Sequence, residues 1–87
     1  MADVTLTLIG KPGCHLCEDA LTVVTEVMGE LTSDSQRYIL EEKSIENDPE
    51  LFDQYWEQIP VLLIEGKVHN YWRIDPVRLT TALKGIS

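Results

Sequence analysis

Val4-Thr5-Leu6-Thr7-Leu8-Ile9-Gly10-Lys11-Pro12-Gly13-Cys14-His15-Leu16-Cys17 is the stretch that decides the fold. Residues 4–9 are an aliphatic and threonine run of strand type, and Lys11-Pro12-Gly13 breaks it. The only two cysteines of the chain follow at once, three positions apart. A helix opening there, from about residue 14 to residue 31, gathers Ala20, Leu21, Val24, Val27, Met28 and Leu31 into one apolar stripe at about 100° per residue. Cys17 falls inside that stripe and Cys14 at its edge, while His15, Asp19, Glu26 and Glu30 point away. Positions i and i+3 lie about one turn apart, within the roughly 4.4–6.8 Å Cα separation that a disulfide accepts. The spacing therefore suits a reversible dithiol, with Cys14 as the accessible, attacking sulfur and Cys17 as the sheltered, resolving one.

Working outward, Thr32-Ser33-Asp34-Ser35-Gln36 reads as a polar loop and residues 37–43 as a second strand. Asp48-Pro49-Glu50 is a helix start, with an N-cap aspartate, proline in the first turn and an acid near the dipole. The short helix it opens carries Leu51, Phe52, Tyr55 and Trp56 toward Ile59-Pro60. Residues 61–64 form a third strand, Glu65-Gly66 a hairpin turn and residues 67–71 a fourth strand. Asp75-Pro76 opens a last helix to about Lys84, with Gly85 just beyond it. The order βαβαββα predicts one α/β domain over residues 1–87: a four-stranded mixed sheet with flanking helices, parallel in its opening βαβ half and antiparallel in its hairpin.

Seven basic against fifteen acidic residues give a net charge of −8. Nucleic acid and anionic membranes both demand a basic surface, so neither is an expected partner. The opening Met1-Ala2-Asp3 has no basic n-region, no run resembles a signal core, and none approaches the roughly 20 apolar residues of a membrane span. These features lead us to expect a cytoplasmic protein, where a permanent disulfide is disfavoured and catalysis or metal binding is the use of a cysteine pair. Structural zinc and simple iron–sulfur clusters usually take four protein ligands. Two thiols and the scattered His15 and His69 would need a second chain or an external thiol to complete such a set.

With Cys-x-x-Cys opening the first helix and Ile59-Pro60 before the third strand, the chain resembles a glutaredoxin of the thioredoxin-fold superfamily over nearly its whole length. The match is to a short glutaredoxin-like branch, here with Cys14-His15-Leu16-Cys17. It rests on residues 11–17, on Gln58-Ile59-Pro60-Val61 and on Glu65-Gly66. The resemblance implies a thiol–disulfide oxidoreductase with Cys14 as nucleophile and Cys17 as resolver. It implies that Pro60 is cis beside the dithiol, leaving backbone groups of Ile59 for substrate, and that Lys11 meets a substrate carboxylate and favours the thiolate. The family's usual Pro-Tyr between the cysteines is His15-Leu16 here, and its glycine pair after the fourth strand is replaced by Asn70-Tyr71-Trp72-Arg73. Thioredoxins proper match less well, with Gly13 in place of tryptophan before the motif and Leu8 in place of a buried aspartate.

The expected site is thus Cys14 and Cys17 as the reacting pair, with Lys11, His15, Ile59, Pro60 and Arg73 at the substrate. Helix N-termini and cations stabilise a thiolate, and Cys14 has both at hand in the helix start and Lys11. His15 either assists the thiolate or is simply exposed, Arg73 either meets a substrate carboxylate or pairs with a surface acid, and Asp75 is an N-cap. Tyr55, Trp56, Tyr71 and Trp72 read as core or half-buried packing. The partners implied are a disulfide-bearing protein or glutathione, with glutathione or a thioredoxin-type reductase as electron donor, acting on a monomer with no bound cofactor or metal. A metal or iron–sulfur module and a redox-inert interaction domain of the same fold stay open as alternatives.

Overall fold

The computed structural model describes residues 3–33 and 36–86, so two residues of the expected polar loop, Asp34 and Ser35, lie outside it. Seven elements follow in the order β1 (Val4–Gly10), α1 (His15–Leu31), β2 (Tyr38–Ser44), α2 (Pro49–Tyr55), β3 (Val61–Ile64), β4 (Lys67–Tyr71) and α3 (Pro76–Ile86). One sheet holds all four strands in the order β2-β1-β3-β4. β1 runs parallel to β2 and antiparallel to β3, and β3 pairs antiparallel with β4. The expected mixed sheet and its parallel βαβ half are therefore present, and the architecture is a thioredoxin fold.

Alternation along β1 builds two layers of core. Leu6 and Leu8 face Val24 and Val27 of α1 and Leu79 and Leu83 of α3, the larger cluster. Ile9 faces the other way, joining Val61, Ile45 and the half-buried Leu51 and Tyr55 of α2. Leu51 and Tyr55, four positions apart, turn inward, which leaves Phe52 and Trp56 stacked on the outer face with centroids 6.1 Å apart. Both are exposed, so the expectation that Trp56 packs inside is corrected: one short helix has a single inward stripe, and these two side chains lie off it.

Caps act where the sequence places them. Asp48 Oδ1 accepts the N–H groups of Glu50 (2.9 Å) and Leu51 (3.4 Å), and Asp75 Oδ1 those of Val77 (2.9 Å) and Arg78 (3.3 Å). α3 runs through Gly85 and does not stop before it, because one glycine costs a helix only about 1 kcal/mol. No helix among the described residues is long and apolar enough to cross a membrane. Three segments end together at one edge of the sheet. Gly10 pairs with Ser44 at the end of β2, its carbonyl accepts the Ile45 N–H at 3.0 Å, and Ile9 pairs with Val61 at the start of β3. The cysteines open α1 directly beyond this edge.

Candidate functional site

Gly13, at φ +76°, completes the turn that sets Cys14 in extended backbone (φ −96°, ψ 114°) ahead of α1. Cys14 is the N-cap: its Sγ accepts the Cys17 N–H at 3.2 Å and its carbonyl accepts the Glu18 N–H at 3.0 Å. A sulfur thus fills the place usually taken by a serine or aspartate oxygen, against an amide that would otherwise lack a partner. The Cys14 sulfur thus faces the positive end of the helix dipole. Cys17 lies one turn further in, and both sulfurs are free and half-buried. The Cys17 thiol is pushed up to about 11, chiefly by burial and next by its hydrogen bond with Cys14. The backbone and charge of Lys11 pull it the other way, so the effect of Lys11 is felt at Cys17.

His15 is almost fully exposed (98%) and its Nδ1 stands 3.8 Å from Glu18 Oε2, so the imidazole turns along the helix toward Glu18. Lys11 is exposed at the rim of the site. Gly10 is a participant that sequence reasoning missed. A Cβ there would stand 2.8 Å from Cys17 Sγ and 3.1 Å from Cys17 Cβ, so the end of β1 and the start of α1 meet at van der Waals distance only because residue 10 has no side chain.

The Ile59-Pro60 peptide bond is cis. Val61 pairs with Ile9, so Pro60 stands one position further on, where the chain leaves β1 for the cysteines. The Pro60 carbonyl accepts the Trp72 N–H at 2.8 Å, whereas the backbone groups of Ile59 make no hydrogen bond with any described residue. Trp72 was expected in the core or half-buried and is instead 53% exposed, in left-handed backbone (φ 64°), with its Nε1–H on the Glu57 carbonyl at 3.0 Å. Tyr71, also exposed, meets its ring edge-on at 5.0 Å. Of the four aromatic residues expected to pack, only Tyr55 is half-buried. Trp72, Arg73 and Leu16 share the wall of a cavity of about 220 Å³ beside the start of α1. The sequence signal for Trp72 was the missing glycine pair: a left-handed position there still has to be filled.

His69, beyond this site, is the extra residue of a bulge where Leu62 pairs with Asn70 and Leu63 with Val68. Its Nε2 is buried without a hydrogen-bond partner among the described residues, and burial together with Arg78 lowers its proton affinity. Among the described residues, no three His, Cys, Asp or Glu side chains converge as metal ligands.

Known proteins resemble this chain over most of its length. An uncharacterized protein of Mycobacterium tuberculosis is 27% identical over 79 residues, covering 91% of this chain and 81% of its own. A glutaredoxin-like protein of Dictyostelium discoideum, named as a homologue of YDR286C, is 29% identical over 85 residues, covering 95% and 78%. Among solved structures, protein XcR50 from X. campestris superposes with a TM-score of 0.71 at 25% identity over 92% of this chain and 96% of its own. Protein Ne2328 of Nitrosomonas europaea reaches 0.76 at 23% identity, over 94% and 93%, and speaks for the fold alone. The family model "Glutaredoxin-like domain (DUF836)" matches residues 5–84, the whole span from β1 into α3, and the chain belongs to that glutaredoxin-like family.

Proposed function

We propose that this protein is a thiol–disulfide oxidoreductase that exchanges its Cys14–Cys17 pair with a disulfide-bearing protein. The observation that carries the reading is the asymmetry of the two sulfurs. Cys14 Sγ sits on the helix N-terminus with the Cys17 N–H at 3.2 Å, while Cys17, pushed up to about 11, keeps its proton and can donate it to Cys14. The Cys14 thiolate attacks one sulfur of the substrate, and the substrate's S–S bond breaks to release its other sulfur as a thiolate. Cys17 gives up its proton to a departing thiolate or to water and attacks Cys14 Sγ. The mixed disulfide then breaks, leaving reduced substrate and an oxidised Cys14–Cys17 pair. The unpaired backbone of Ile59, next to cis Pro60, supports pairing with an extended segment of substrate.

The surroundings support a polypeptide more than glutathione alone. Leu16, where glutaredoxins have tyrosine, is exposed, and with exposed Trp72 it gives apolar surface to the cavity at the start of α1. Arg73 in the same wall offers a cation to a carboxylate. Glutathione or a thioredoxin-type reductase restores the dithiol, in a cytoplasmic setting, with no bound cofactor. A metal module would need ligands from outside the chain, which leaves the dithiol reading ahead. In the test, Cys17→Ser incubated with a disulfide substrate accumulates a mixed disulfide through Cys14, seen by intact mass and peptide mapping. Cys14→Ser accumulates none. Trapping through Cys17 instead, or no exchange by the wild-type chain, would overturn the reading.

A further inference from the structure

α2 leaves an aromatic face without a partner. Leu51 and Tyr55 turn toward the sheet, whereas Phe52 and Trp56, one position further round, turn to solvent. Their rings stack with centroids 6.1 Å apart and planes 10° from parallel. Phe52 is 47% exposed and Trp56 53%. Rings already held against each other at i,i+4 spacing lose little further freedom when something lies on them. Exposed aromatic surface leads from this pair toward the start of α1. Trp56 is followed by Glu57, whose carbonyl accepts the Trp72 Nε1–H at 3.0 Å, and Trp72 lines a cavity with Leu16.

The charge around the pair has one sign. Residues 44–66 contain six acidic and no basic residues. Asp53 follows Phe52 and Glu57 follows Trp56, so two exposed carboxylates four positions apart adjoin the two rings, and Glu50 stands one turn before Asp53. Among the described residues none of these three carboxylates forms an ion pair. Like charges at this spacing repel one another, and an outside cation relieves that repulsion. A second copy of the chain would bring the same acids and a net charge of −8, and an anionic membrane would be repelled as well. A guanidinium fits both parts of the surface at once: its flat face lies on an aromatic ring, and its N–H edge reaches carboxylates. The rings set where a partner lies and the carboxylates set its charge.

We propose that the Phe52–Trp56 face of α2 is a docking surface for another protein, and that it takes a basic segment carrying arginine beside an apolar side chain. The guanidinium stacks on Trp56 and meets Asp53 and Glu57, while the apolar neighbour lies on Phe52. This contact needs no thiol chemistry and stands apart from the exchange reaction. For a disulfide-bearing partner it adds selection. Trp56 and Ile59 are three positions apart, no more than about 11 Å of extended chain, so one partner can reach both.

The test titrates the reduced, isotope-labelled full chain with the cysteine-free peptide Leu-Arg-Leu-Arg-Leu and follows it by NMR. Backbone amides of residues 50–57 and the Trp56 indole N–H should shift together and saturably, less so as salt is raised. The same peptide with glutamate in place of arginine should cause no shift. Trp56→Ala should weaken binding about two- to fivefold, the scale of an exposed cation–π contact. The double variant Asp53→Asn, Glu57→Gln keeps the rings and should weaken it about three- to tenfold, the scale of two exposed charge contacts. All three positions are exposed, and unchanged amide shifts in β1 and β3 verify the fold of each variant. No shift, shifts confined to other elements, equal binding of the glutamate peptide, or unchanged binding by both variants overturns the proposal. So does a free chain that sediments as a dimer and becomes monomeric with Trp56→Ala, because a second copy would then cover this face. A chain that binds the peptide at α2 yet never traps a mixed disulfide keeps the docking surface and loses the exchange reading.

Discussion

Replacing Gly10 with alanine tests the contact on which the geometry of the dithiol depends. The new Cβ would stand 2.8 Å from Cys17 Sγ and 3.1 Å from Cys17 Cβ. Ordinary contacts between such atoms lie at about 3.5–4.0 Å, so the methyl group intrudes by roughly an ångström. Neither partner yields freely. Gly10 is held by pairing with Ser44 and by the Ile45 N–H on its carbonyl at 3.0 Å, and the Cys17 N–H is engaged by Cys14. Overpacking of this kind costs about 1–3 kcal/mol. Gly10 has no left-handed backbone to lose, so the smaller unfolded-state entropy of alanine returns about 0.4–1 kcal/mol. The expected net loss is about 1–2 kcal/mol, a fall in Tm of roughly 5–15 °C at this chain length. Urea unfolding in reducing buffer measures it as a lower midpoint at unchanged slope. A double-mutant cycle then assigns the cause. Cys17→Ala removes the 2.8 Å contact but keeps the 3.1 Å one, so the cost of Gly10→Ala should shrink by about 0.5–1.5 kcal/mol in that background. An equal cost in both backgrounds would show that the sulfur is not what the glycine accommodates.

Other consequences can be measured separately. The folded chain holds the Cys17 proton more tightly than the unfolded chain, so the stability this contributes is full below pH 9.0 and is lost as pH rises through about 11. The thiolate absorbance that Cys17→Ser removes should accordingly develop near the upper value, and its development near 9.0 would contradict the shift. Trp72→Ala removes the wall beside Pro60 and the Nε1 hydrogen bond to Glu57. It should raise KM for a protein disulfide about three- to tenfold, the scale of an aromatic contact of about 0.5–1.5 kcal/mol. Turnover of a small uncharged disulfide should hardly change, and equal loss with both substrates would assign Trp72 a structural role instead. Leu6→Ala, at a fully buried position facing α1 and α3, should cost about 2–5 kcal/mol in urea unfolding. A loss under 1 kcal/mol would contradict the two-layer core.

What the sequence disclosed is local, and what it withheld depends on distant segments meeting. The apolar alternation of β1, the stripe of α1 and the aspartate caps at Asp48 and Asp75 are each written within a few neighbouring residues, and each is found in the fold. Cysteines three apart at a helix start disclosed the proposed dithiol for the same reason. Gly10 could not be read in this way, since its role exists only after α1 is laid against β1. Trp72 was misread because its apolar ring suggested burial, whereas hydrogen bonds to Pro60 and Glu57 hold it in a left-handed turn at the surface. The reading of Trp56 failed likewise, since the composition of a seven-residue helix does not say which of its faces the sheet will cover.

The difference between the two sulfurs follows from one structural event, the start of a helix at the end of a buried strand. Because β1 ends level with β2 and β3, the next residues leave the sheet at an edge open to solvent, and Cys14 is placed there before the first helical turn. One turn later the chain has already returned over β1, and Cys17 rests on Gly10. Three residues thus separate a sulfur that meets helix amides from one that loses water, and those environments act on charge in opposite directions. Had the two cysteines lain inside a helix, both would have faced intramolecularly bonded amides and neither would have been singled out. In the mechanism proposed, the N-cap position, more than the Cys-x-x-Cys spacing, is therefore what distinguishes the attacking sulfur from the resolving one. Moving it by inserting one alanine between Gly13 and Cys14 should keep the spacing and abolish the preference for trapping through Cys14.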